Sequence, residues 1–99
     1  MEEFNKLIHS PIRLKILALL AGTNQTTHAH LQEVLGISPQ HLSKQLKLLS
    51  DKGLIVTFKA RKEGGSETVV FATPRGLSEF KKHRATLLHI LNSLDKSPR

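Results

Sequence analysis

The chain has 99 residues, one domain's worth, with a 38% apolar content and 15 Lys+Arg against 8 Asp+Glu, a formal net charge of +7. The absence of cysteine rules out disulfides, thiolate metal sites and cysteine nucleophiles. No run approaches the ~18 apolar residues a membrane span needs, and the excess of cations points to a polyanionic partner.

The segment Glu2–His9 reads as a helical lead-in, with Phe4, Leu7 and Ile8 on its apolar side. Ser10-Pro11 then starts a first full helix: serine caps the orphan amides, and proline at the first helical position loses no hydrogen bond. Ile12, Ile16, Leu19 and Leu20 recur at helical spacing, Leu14 and Leu17 widen the stripe, and Gly22 is the expected terminator. The apolar run Ile16–Ala21 is short and lacks a small-residue cleavage site, so it is not a signal segment. A soluble cytoplasmic protein, associated with the nucleoid, is the expectation.

A short second helix runs from Thr27 or His28 to Leu35, with Leu31, Val34 and Leu35 facing inward and Gly36 closing it. After Ile37, Ser38-Pro39 repeats the cap-plus-proline signal. Leu42, Leu46 and Leu49 follow at spacings of four and three, and Gly53 ends the third helix. Two helices joined by a short glycine-containing turn are the mark of a helix-turn-helix.

The period then changes to that of strands. Leu54–Lys59 and Thr68–Ala72 are rich in β-branched and aromatic residues, and Arg61–Ser66 between them makes a flexible, basic hairpin tip. Thr73-Pro74 opens a last helix reaching about Leu94, followed by a fraying tail, Asp95–Arg99. The fold class expected is mainly α with a small β-hairpin: helix, helix, helix, two-stranded hairpin, long C-terminal helix. Residues 1–94 form a single domain.

The stretch LQEVLGISPQHLSKQLKLLSDKGLI, Leu31 to Ile55, resembles the recognition unit of small winged-helix regulators related to the MarR and ArsR types, and HSPIRLKILALL is similar to their first helix. This resemblance covers nearly the whole chain. It implies a transcriptional regulator that binds duplex DNA as a homodimer.

The residues support the same conclusion without the family. With Leu42, Leu46 and Leu49 inward, Gln40, His41, Ser43, Lys44 and Lys47 point outward, where Gln suits adenine, Lys suits guanine, and Ser accepts several partners. Such a helix enters the major groove by its N-terminal residues, so Gln40, His41 and Lys44 lead among the base-reading candidates, with Ser38 and Pro39 at the helix start. Lys59, Arg61 and Lys62 of the hairpin are expected at the minor groove or the phosphate backbone. Residues 38–84 hold ten Lys+Arg and four acids, so six units of the +7 fall in this region.

The last helix carries Leu77, Phe80, Arg84, Leu87, Leu91 and Leu94 at spacings of three and four, widened by Leu88 and Ile90. Leu87, Leu88, Leu91 and Leu94 are therefore expected at a dimer interface within residues 74–94.

Six histidines raise metal sensing, but His28 and His30 fall on different sides of a helix, and His83 and His89 are too far apart to share an ion within one chain. No metal or cofactor is expected. No phosphate-binding loop or grouped nucleophile, base and orienter is present, so no enzymatic activity is expected either. With no Trp or Tyr and only four Phe, at least three of them in core-type positions, a stacking platform for RNA is not expected. Non-specific, chromatin-like DNA binding is the main alternative. The sequence reveals no effector pocket.

Overall fold

The computed structural model describes residues 6–95. Its elements are α1 (Pro11–Thr23), β1 (Gln25–Thr27), α2 (His28–Leu35), α3 (Pro39–Asp51), β2 (Ile55–Lys62), β3 (Gly65–Ala72) and α4 (Pro74–Asp95). Residues 6–8 are helical as well. The rest of the expected lead-in, including Phe4, and the tail beyond residue 95 lie outside the described residues.

Each helix starts where a side-chain oxygen is available to an orphan amide. Ser10, Thr27 and Ser38 accept from the backbone N–H groups of Arg13, His30 and His41, and Thr73 Oγ1 accepts from Gly76 N at 2.9 Å. Thr73 also donates to the Gly53 carbonyl at 2.6 Å, so one hydroxyl caps α4 and ties it to the turn after α3. The approach there is close: a Cβ on Gly76 would stand 2.0 Å from the Leu54 carbonyl oxygen. Only glycine fits.

The first helix ends later than expected. It runs through Gly22 to Thr23 and is closed by Asn24 at φ 70°, whose N–H reaches Leu20 O. Asparagine tolerates the left-handed region, and the delay delivers Gln25 directly into β1. That strand is the main departure from the sequence expectation. Gln25–Thr27 pairs antiparallel with Val69–Phe71, so the sheet has three strands in the order β1-β3-β2. Three polar residues offer too little alternation to announce a strand; the free edge of β3 recruits them.

The hairpin is longer and tighter than expected. Ile55–Lys62 and Gly65–Ala72 pair in full, ending with Lys62 opposite Gly65, and only Glu63-Gly64 remains as the turn. Gly64, at φ 86°, takes the backbone conformation the turn requires. Arg61 and Lys62 thus lie on a paired strand and not in a flexible tip.

The core gathers one face of every helix and the inner face of the sheet: Ile8, Ile16, Leu17, Leu20, Leu31, Leu42, Leu46, Leu49, Leu54, Ile55, Val70 and Phe80. Val34, expected inward, is 55% exposed, because the eight-residue α2 seats itself by Leu31, with Leu35 packed at the margin. On α4 the buried line runs through Gly76, Phe80 and His83 to half-buried Leu87; Arg84 turns out and lies over the Phe80 ring at 5.7 Å. Beyond it Leu88, Ile90, Leu91 and Leu94 are all exposed.

Candidate nucleic-acid interface

With Leu42, Leu46 and Leu49 buried, α3 presents Gln40, His41, Ser43, Lys44 and Lys47 outward, all exposed. This follows from their spacing: a 3.6-residue period that turns three leucines inward turns these five out. Ser38 and Pro39, at the start of the same helix, are exposed too, although the Ser38 hydroxyl is already engaged as the cap. Lys47 has Asp51 one turn on, at 3.4 Å. With both side chains largely exposed, that pair holds the ammonium only loosely. Lys44 has no ion-pair partner among the described residues.

Two contacts brace this helix, and neither was foreseen. His28 Nε2, at the start of α2, lies 3.2 Å from Ser43 Oγ. Arg13 of α1 donates through Nη1 to Gln45 Oε1 at 2.7 Å, and through Nε to the Leu7 carbonyl. Gln45 sits among the outward positions of α3 but is half-buried. Nothing in the linear pattern links it to Arg13, thirty-two residues away.

A cleft of about 340 Å³ separates α3 from the sheet, lined among others by His28, Ser43, Lys47, Thr57 and Thr68. Because strand side chains alternate, Thr57 shares its face with Lys59 and Arg61, while Val56, Phe58, Ala60 and Lys62 occupy the other. The hairpin cations are therefore divided. Lys59 and Arg61 extend the α3 side of the molecule, whereas Lys62 turns to the outer face and meets Glu67 at 3.8 Å.

The outer face holds a further surprise. Phe58 is 50% exposed and stacks on Phe71, centroids 5.4 Å apart, beside Val56 at 51%. Among the described residues no helix covers that side of the sheet, so the alternation that buries Ile55 exposes Val56 and Phe58.

Among the described residues, no three His, Asp or Glu side chains gather as a metal site, and no helix is long and apolar enough to cross a membrane.

Comparison with known proteins agrees with this geometry. A family profile described as a winged helix DNA-binding domain matches residues 12–91. An uncharacterized protein of Methanocaldococcus jannaschii is 30% identical over 90 residues, covering 91% of this chain and 98% of its own. The transcriptional regulator homologue of Pyrococcus horikoshii superposes with a TM-score of 0.81 at 29% identity, covering 96% of this chain and 99% of that one. A MarR-family regulator, so described, from Enterococcus faecalis shares the fold with a TM-score of 0.79 at 17% identity, over 96% of this chain and 84% of its own.

Proposed function

Since the chain belongs to the winged helix DNA-binding domain family, we propose that it is a transcriptional regulator that binds specific duplex DNA as a homodimer. The observation that carries this reading is the single cationic front formed by α3 and the inner side of the hairpin. Gln40, His41, Ser43, Lys44 and Lys47 stand at its centre, and Lys59 and Arg61 extend it. In this reading the N-terminal half of α3 enters the major groove, with Gln40, His41 and Lys44 at base edges and Lys47 at phosphate. Lys59 and Arg61 follow the backbone or the minor groove, with Lys62 at the hairpin end.

The dimer reading rests on α4. Leu88, Ile90, Leu91 and Leu94 are 51%, 49%, 56% and 65% exposed, a run of large apolar side chains on a helix end that no other element among the described residues covers. A second copy would cover them, with half-buried Leu87 at the margin. A two-fold pair places two α3 helices about one DNA turn, ~34 Å, apart.

The test is selection of bound duplexes from a random DNA pool, with the mass of the recovered complex measured. Enrichment of an inverted repeat bound by two chains supports the proposal. Recovery of featureless DNA replaces it with a non-specific architectural role, since charge alone serves both.

A further inference from the structure

A cleft of about 520 Å³ lies between residues 6–13 and α4. Lys6, His9, Arg13 and His83 are its charged and titratable lining, and Leu87 and Ile90 form its apolar wall; among the described residues no Asp or Glu lines it. His83 is only 7% exposed, and its Nε2 has no hydrogen-bond partner among the described residues. The ring of exposed His9 meets it edge-on, centroids 5.7 Å apart. Burial, and then the neighbouring His9, hold the His83 pKa below its ordinary value of 6.5. The nearest carboxylate along α4, Glu79, is one turn away and already paired with Lys82 at 3.7 Å.

The same cleft connects to α3. Arg13, on its wall, holds the Leu7 carbonyl with Nε and Gln45 of α3 with Nη1. One guanidinium therefore ties the segment carrying His9 to the helix that carries the proposed base-reading side chains.

We propose that His83, with the His9 ring against it, forms a proton-operated latch: with His83 neutral the 6–10 segment lies against α4, and protonation of His83 drives the segment away and loosens the Arg13 tie to α3. A cationic His83 ring faces the His9 ring, Lys6 and Arg13, and among the described lining residues no carboxylate offsets that repulsion. Fully buried Ile8 opposes the opening, because lifting the segment exposes it to water, and this makes the closed form the resting state. The sign follows from linkage. The closed form binds fewer protons than the open one between the depressed pKa of His83 and the ordinary ~6.5 of a free imidazole. Closure is thus strongest above about pH 6.5 and weakens as pH falls through that window.

The latch is testable without DNA, so its failure would leave the duplex-binding proposal standing. Amide hydrogen exchange of the full chain is compared at about pH 7.5 and 5.5, corrected for intrinsic rates. Protection across residues 6–13 is expected to fall about fivefold or more on acidification, with that of β2 and β3 retained. In His83→Gln, and in His9→Gln, which leaves the buried ring in place, the loss should shrink to under about twofold. Exposed His30, His41 and His89 remain in both variants as internal controls. Equal losses in wild type and His9→Gln overturn the latch, whether or not His83→Gln folds. So does unchanged wild-type protection, or a His83 ring that titrates no lower than His89 by NMR.

Discussion

At Gly76 the fold admits no side chain, because the first turn of α4 passes directly over the Leu54 carbonyl. Gly76→Ala should therefore lower stability by about 2 kcal/mol or more, read as a shifted denaturant midpoint at unchanged slope. This overpacking cost outweighs the gain in helix propensity that alanine otherwise brings. Lys44 tests the other kind of residue, one whose exposure leaves stability indifferent to it. Lys44→Ala should weaken selected DNA by about 1–3 kcal/mol and random duplex by much less. Equal losses on both would assign it to phosphate. Arg61 and Lys62 are neighbours in sequence but point to opposite faces of the sheet. Arg61→Ala is expected to reduce the salt dependence of binding by up to ~0.9 in log–log slope, and Lys62→Ala by distinctly less. The reverse order would move the DNA to the outer face.

Among the elements, α3 was the most legible. Three leucines at helical spacing, a serine cap and a proline start determine both its limits and its outward face, since each signal acts within one or two turns. The hairpin was half legible. Its alternation marked the strands, but its length and the face each cation takes depend on where the turn falls, and the turn shrank to Glu63-Gly64. That shortening to two residues puts Arg61 and Lys62 on opposite faces of a paired strand and leaves Phe58 against Phe71 on the open side. Thr73 fixes where α4 starts and the helix runs on for 22 residues, yet among the described residues the first half packs on the core while the second stays exposed beyond Leu87. Leu91→Glu on its exposed half should give a monomer by light scattering with the fold intact by circular dichroism. A dimer of unchanged mass would remove α4 from the proposed interface.

For the whole molecule, the Cα radius of gyration is 15.3 Å, against about 13 Å for a compact chain of this size. The 59 Å long axis in a body 25 by 22 Å reflects a helix that outruns its core. An apolar end carried so far from the core is consistent with folding stability that depends on a second copy. The thermal midpoint of the wild type should then rise with protein concentration, and that of Leu91→Glu should not. α3 and the hairpin carry five exposed cations, Lys44, Lys47, Lys59, Arg61 and Lys62, whereas four of the large apolar side chains left exposed stand together at the end of α4.

The sequence by itself determined the order of the helices, their caps, the inward leucines of α3 and the exposed face opposite them. These depend on periodicity and on contacts between residues three or four apart, which a linear chain displays. Only the tertiary structure decided that Gln25–Thr27 is a strand, that Lys59 and Arg61 part from Lys62, that Arg13 reaches Gln45, and that His9 meets His83. Each of these joins or sorts residues according to a partner distant in the chain or an exact turn position. Burial and pairing of that kind exist only once the elements have packed. The basic charge was legible from composition; the side of the molecule it faces was settled by where the hairpin turns.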